Sequence, residues 1–282
     1  MKTTSKIIIQ IGIILGFLGT IIINTLSSIG IINNKDPGTL SDALPNLFVP
    51  SGITFAIWGV IYIALLVLTI YSIRSWFKKD MEPSEFLNKM GIEFIIASIA
   101  NISWIFLWHY QAELNSTAYS LVAMLILLGA LLSAYIRLRI GKNEEASKGE
   151  KWLIHTPFGV YLGWITIATV ANVTALLVET GWENIIAPTD TWKIIWTIII
   201  ISVAAVITLL MLILRKDIAY SLIVIWALTG IILKRFEVYN LGDPLILGVV
   251  IAAGVAIGLI VILIGITIYR LFKSKKENAI VA

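Results

Sequence analysis

Long uninterrupted apolar runs, each closed by a short polar or charged segment, dominate the chain. Several reach membrane length: a bilayer core about 30 Å thick is crossed by roughly 20 helical residues rising about 1.5 Å each. The pattern predicts spans at about 7–31, 51–73, 87–109, 115–137, 153–177, 193–214, 218–234 and 245–269. Helices are the expected spanning form, because lipid offers no partner to a free backbone N–H or C=O. The alternation of a membrane barrel, in segments of about ten residues, is absent. The expected fold class is therefore all-α, a polytopic transmembrane helical bundle of about eight spans. The first span is too long for a cleaved signal and Ser27-Ser28 makes a poor cleavage site, so it reads as a retained helix. The seventh is short and ends in Lys234-Arg235, which leaves its full crossing to be established.

Composition agrees with the pattern. Apolar residues fill 59% of 282 positions and charged residues 13%, about half the charge of a soluble domain. The charges also carry orientation. With the N-terminus inside, 17 of the 21 Lys and Arg residues fall in cytoplasmic segments, and only Lys35, Lys193, Lys234 and Arg235 fall opposite. That bias follows the positive-inside rule and puts both termini in the cytoplasm of an inner or plasma membrane. The net charge of +4 is then loop charge, and no nucleic-acid partner is expected. Residues 33–50 form the longest predicted external loop, punctuated by Pro37, Pro45 and Pro50; residues 139–151 form a polar cytoplasmic one.

The chain has no cysteine, which excludes disulfides and thiolate metal sites, and His109 and His155 need carboxylate help to hold a metal. No Ser-His-Asp set, phosphate loop or HExxH occurs. No internal repeat supports an inverted-repeat transporter.

Three spans place aromatic and polar residues on one helical face: Phe55, Trp58 and Tyr62; then Glu93, Ala97, Asn101, Trp104 and Trp108; then Tyr161, Trp164, Ala168 and Asn172. Such stripes commonly serve helix packing, and buried asparagines commonly bond across helices. Trp76, Trp152, Trp182 and Trp192 sit at span ends, as interfacial anchors do. Glu93, the acid well inside a span, is the candidate proton site, with Lys89 one turn away as a partner. Gly12-x-x-x-Gly16 and Gly254-x-x-x-Gly258 are small-residue faces suited to close helix packing.

The deep aromatics carry a resemblance. Pro50-Ser51-Gly52-Ile53-Thr54-Phe55-Ala56-Ile57-Trp58-Gly59-Val60-Ile61-Tyr62 resembles the P-x-G-x-x-F-x-x-W-x-x-x-Y opening of the second helix in the translocator, or tryptophan-rich sensory, proteins (the TspO/MBR family). Asn101-Ile102-Ser103-Trp104 is similar to the Asn-x-x-Trp segment of their third helix. The run from Tyr161 to Asn172 is similar to the Y-x-x-W-x-x-x-A-T-x-x-N core of their fifth. The resemblance covers about residues 7–180 and implies a five-helix core, 1–180, followed by a three-helix extension, 181–282. It further implies a cavity closed by the loop after the first helix that binds porphyrin, haem or a sterol-like lipid. By the match, Phe55, Trp58, Tyr62, Asn101, Trp104, Tyr161, Trp164, Ala168 and Asn172 form the ligand site. The chain departs from the family pattern at Val49-Pro50-Ser51, where a double proline is usual, and lacks the sterol pattern at the end of the fifth helix.

The expectation is thus a membrane protein that binds a flat hydrophobic ligand, with porphyrin or haem as ligand and no cofactor required. Expected partners are membrane lipid, that small molecule and a second copy in a homodimer. The alternatives are a proton-coupled secondary transporter using Glu93 and a porphyrin-modifying enzyme using Trp58 and Trp164.

Overall fold

The computed structural model describes residues 3–77, 84–143, 145–238 and 244–281. Of the charges used for orientation, Lys2, Lys78 and Lys79 lie outside the described residues, as do the side chains of Lys275 and Lys276. Eight helices are long and apolar enough to cross a membrane. They are α1 (Thr3–Ser28), α2 (Ile57–Ser72), α3 (Leu87–His109), α4 (Thr117–Arg137), α5 (Thr156–Glu179), α6 (Asp190–Arg215), α7 (Ile218–Val238) and α8 (Pro244–Val281). No strand occurs among the described residues. The seventh span, short on the sequence pattern, is a helix of 21 residues that continues past Lys234-Arg235. Arg235 is buried there, so its charge does not end the helix at a water interface.

Prolines shape two of the entries. Pro50 disfavours the helical region for Val49, and the chain reaches α2 through a 3₁₀ turn, Gly52–Ala56. Pro157 removes an amide from the hydrogen-bond ladder and crowds the carbonyl of Leu153, four residues earlier. The chain answers with a π turn at Lys151–His155, and the Thr156 hydroxyl donates to the Lys151 carbonyl at 3.2 Å. The wider turn lets one helical rod continue through a proline that would otherwise kink it. His155 is buried within this turn, 3.5 Å from Glu150.

The first five helices close a ring in which α1 packs on α2, α2 on α5, α5 on α4, α4 on α3 and α3 on α1. Gly12 and Gly16 make the last contact possible, since a Cβ on either would lie 2.5 Å from Ile95 and 2.8 Å from Ser98 respectively. The other small-residue face does not behave this way. Nothing lies within 4 Å of a Cβ at Gly254 or Gly258; α8 instead buries the adjacent stripe of Val249, Ala253, Ala256 and Ile260. That stripe repeats at helical spacing and already satisfies the packing of α8 against α6 and α7.

The last three helices pack on one another and join the ring through α7, which lies along α5 and the 3₁₀ turn. The approach is close at Gly163, where a Cβ would stand 2.9 Å from the Tyr220 carbonyl, and at Gly230, where one would stand 2.0 Å from Thr54. Polar bonds fix the register. The Ser51 amide donates to the Gly230 carbonyl at 2.9 Å, and the Trp226 indole donates to the Thr54 carbonyl at 2.9 Å. At the opposite end the Tyr135 hydroxyl donates to Asp217 at 2.7 Å. Asp217 also accepts from the Tyr220 amide at 3.0 Å, which caps α7. Trp76, Trp152, Trp182 and Trp192 are all exposed at helix ends, as anchors require.

Candidate functional site

The three aromatic stripes meet inside the ring. Trp58 of α2 is 3% exposed and has four aromatic neighbours. Tyr62 stacks on it at 5.8 Å, while Trp104 (6.2 Å), Tyr161 (6.1 Å) and Trp164 (6.2 Å) come from α3 and α5. Phe55 meets Trp164 edge-on at 6.0 Å, and Trp108 stacks on Trp104 at 6.0 Å. The offset and edge-to-face geometries are those that ring quadrupoles favour. The convergence follows from the ring order, which sets α2 beside α5 and brings the inner face of α3 opposite both.

A cavity of about 50 Å³ lies beside this hub, and Phe55, Trp58, Trp104, Trp164, Ala168 and Asn172 line it. Tyr62, Asn101 and Tyr161 belong to the cluster but not to the cavity wall. Asn101 is fully buried and accepts from the Asn24 amide of α1 at 2.6 Å, a bond between helices. Asn172 shares a bond with Ser120 of α4 at 3.2 Å and still lines the cavity. The wall includes residues outside the expected site: Trp108, the loop residues Phe48 and Val49, and Ala227 and Ile231 of α7. Trp108 was legible on the α3 face, four residues after Trp104. The α7 residues were not, since small and branched apolar side chains look alike wherever a membrane helix is buried.

Polar atoms inside the hub are under-satisfied. Among the described residues, the Tyr62 hydroxyl and the indole nitrogens of Trp104 and Trp164 are buried without a hydrogen-bond partner. The Tyr161 hydroxyl and the Asn101 amide nitrogen approach one another without closing a bond of normal geometry. Buried donors are nearly always paired in folded proteins, so a concentration of them in one place calls for a partner from outside the chain.

Two larger spaces flank the hub. An open groove of about 410 Å³ runs beside α1 and α2 and shares Phe55 and Trp58 with the inner cavity. On the other side a chamber of about 590 Å³ lies between the loop, the end of α5 with the segment after it, and helices α6 and α7. Asn46, Phe48 and Val49 line both this chamber and the inner cavity, so they form the partition between them.

Glu93 lies apart from all three spaces. It is buried, pairs with Arg137 of α4 and accepts from Ser133 at 3.3 Å. The partner is therefore Arg137 on the neighbouring helix; the ridge between α3 and α4 brings it over the carboxylate, whereas Lys89 makes no bond there. No three His, Asp or Glu side chains cluster for a metal among the described residues.

A family model described as TSPO-like protein matches residues 10–267. The chain belongs to the TSPO-like protein family. The match runs past residue 180 through α6, α7 and most of α8, further than the motif resemblance reaches. No curated protein and no solved structure matches the chain. The membrane-spanning helices and the family together make this an integral, multi-pass membrane protein of the TSPO type.

Proposed function

We propose that this TSPO-like membrane protein binds a flat hydrophobic ligand bearing hydrogen-bond acceptors, of the porphyrin or lipid class, against the aromatic hub. The five-helix core of residues 1–180 supplies the rings, and residues 181–282 brace the loop that closes over them. The observation that carries this reading is the convergence on Trp58 of stacking surfaces and unsatisfied donors. Indole and amide N–H groups donate only, so the complementary ligand presents acceptors. A cavity of about 50 Å³ is well below the roughly 300–1,000 Å³ of ligand pockets. Binding therefore involves opening, and the partition of Asn46, Phe48 and Val49 is the segment of wall with space on its far side.

The test is a titration of purified protein with a porphyrin panel, read by absorbance and tryptophan quenching. Parent protein should bind saturably. Ala168→Phe, which fills the cavity wall, should block a tetrapyrrole while sparing a small probe. If Ala168→Phe and Trp164→Ala bind like the parent while remaining folded, the stripes are helix packing and the reading fails.

A further inference from the structure

The chamber of about 590 Å³ between the loop, the end of α5 with the segment after it, α6 and α7 is roomier than the cavity in the core. Its volume falls within the range of small-molecule sites. The apolar part of its wall comes from Leu47 and Phe48 of the loop, Leu177 of α5, and Trp196 and Ile200 of α6. Its polar part contains two closed ion pairs, each tying one connecting segment to a helix. Lys193 of α6 reaches Glu183 at 3.1 Å, and Lys234 of α7 reaches Asp42 of the loop at 2.8 Å. Both lysines and Glu183 are half-buried. Arg235 is bonded to the wall itself, donating to the Val49 carbonyl at 3.3 Å. An ionic head group beside a closed pair is attracted by one partner and repelled by the other. To gain a strong bond it must separate the pair and leave one partly buried charge uncompensated. A hydroxyl meets no such conflict. It donates to the carboxylate and accepts from the ammonium, so it bridges the pair without opening it.

We infer that this chamber is a second binding site, one that takes an uncharged amphiphile: an apolar body against Leu47, Leu177, Trp196 and Ile200, and a hydroxyl head bridging the Lys193–Glu183 or Lys234–Asp42 pair. The site is independent of the core reading, because its polar groups and most of its apolar wall lie outside the aromatic hub. It also gives the C-terminal helices a task, since α6 and α7 supply the basic half of both pairs.

The chain has no cysteine, so a single introduced thiol reports occupancy. Val178→Cys and Ile186→Cys place one in the chamber wall, while Ile185 is 70% exposed and outside that wall, which makes Ile185→Cys the control. Each full-length variant, in phosphatidylcholine nanodiscs, is timed in its reaction with N-ethylmaleimide while dodecan-1-ol is added. The alcohol should slow labelling saturably at Val178→Cys and Ile186→Cys and leave Ile185→Cys unchanged. Dodecane-1-sulfonate and dodecyltrimethylammonium carry the same chain with heads of fixed charge, and dodecyl methyl ether accepts but cannot donate. At equal mole fraction in the bilayer, all three should protect about tenfold more weakly than the alcohol. Opening the pairs should change the ranking in opposite directions. Glu183→Gln with Asp42→Asn leaves the two lysines free and should raise protection by the sulfonate about tenfold; Lys193→Gln with Lys234→Gln should do the same for the trimethylammonium compound. Equal slowing at Ile185→Cys, no slowing at either wall position, or protection by an ion or the ether that matches the alcohol overturns the inference. So does a ranking that neither pair of substitutions moves. Protection by dodecan-1-ol should persist in a folded Ala168→Phe protein, whose core cavity is filled; its loss there would place the alcohol in the core and overturn the second site. No porphyrin enters these measurements, so a failed core reading leaves the result untouched.

Discussion

Trp58→Ala is the perturbation that asks most of the proposed core. The side chain is almost fully buried and touches four rings at 5.8–6.2 Å. In a water-soluble protein, truncating a buried Trp costs about 3–5 kcal/mol, part transfer and part cavity. In a bilayer the transfer part shrinks, because lipid is as apolar as the protein interior. What remains is the ring contacts, at about 0.5–1.5 kcal/mol each. Such terms do not add fully for neighbours, so a loss of about 2–4 kcal/mol is expected. Unfolding in lipid-matched nanodiscs, followed by tryptophan fluorescence, should show it, with Trp152→Ala as the control because Trp152 is 72% exposed. Trp58→Phe keeps a ring in place and should recover most of the stability. Affinity for a stacking tetrapyrrole should fall with Trp58→Ala by about 1–3 kcal/mol, or 5- to 150-fold. A Trp58→Ala protein that unfolds like its parent would mean that the rings do not support one another, and the hub would lose its claim to be a preformed site.

Three further outcomes are expected. Asp217 lies outside the spans, and burial raises its carboxyl above the usual range against the bonds from Tyr220 and Tyr135 that lower it. A raised folded pKa contributes stability below the free value, near 4, that is lost as pH rises through the folded value. Asp217→Asn should therefore flatten the fall in stability above that pH, while Tyr135→Phe, which strands the carboxylate, should cost about 1–3 kcal/mol at neutral pH; thermal melts across pH report both. Asp36 caps the short helix Pro37–Asp42, and the Thr39 hydroxyl holds its carboxyl below the ordinary value. Its contribution is present above about pH 4 and lost as pH falls, so Asp36→Ala should speed proteolysis of the 33–50 loop at neutral pH but make no difference in acid. Ser147, exposed beside the π turn, serves for topology: Ser147→Cys should resist an impermeant maleimide in intact cells and react after permeabilisation, and labelling from outside would invert the charge-based orientation.

Much of the fold was legible because the bilayer leaves the chain few options. Span positions follow from run length alone, and the structure moves their ends by only a few residues in most cases. The convergence of Trp58, Trp104 and Trp164 was legible from helical spacing together with the family-like motifs. Partner choice was not. Glu93 pairs with Arg137, forty-four positions away, and nothing in a single helix's spacing reveals which neighbour faces it. Nor did the Gly254-x-x-x-Gly258 pattern separate a face that packs from one that does not, because the adjacent alanine and branched residues met the partner instead. The chamber was hidden for the same reason. Its walls come from the loop, α5, α6 and α7, each contributing residues that look ordinary on their own element.

The filled core and the proposed ligand are reconciled by asking where the affinity comes from. Volume is not the source, since the rings already occupy most of the space they enclose. The unsatisfied donors of Tyr62, Trp104 and Trp164 supply a different reservoir. Each buried donor left without a partner costs about 1–3 kcal/mol, and the closed protein carries that cost until an acceptor arrives. A ligand that brings acceptors to these positions relieves it, which offsets the energy of parting the rings and moving the Phe48 partition. A hydrocarbon of the same shape relieves nothing and must open the core unaided. Discrimination is therefore expected to follow acceptor number rather than hydrophobicity. A porphyrin ester panel graded in peripheral carbonyls should rank in affinity by those carbonyls, and Trp104→Phe and Trp164→Phe, which keep the ring and delete the N–H, should flatten the ranking while leaving the weakest members unchanged. If affinity tracks partition coefficient instead, in parent and variants alike, the donors play no part in recognition and the hub binds by stacking alone.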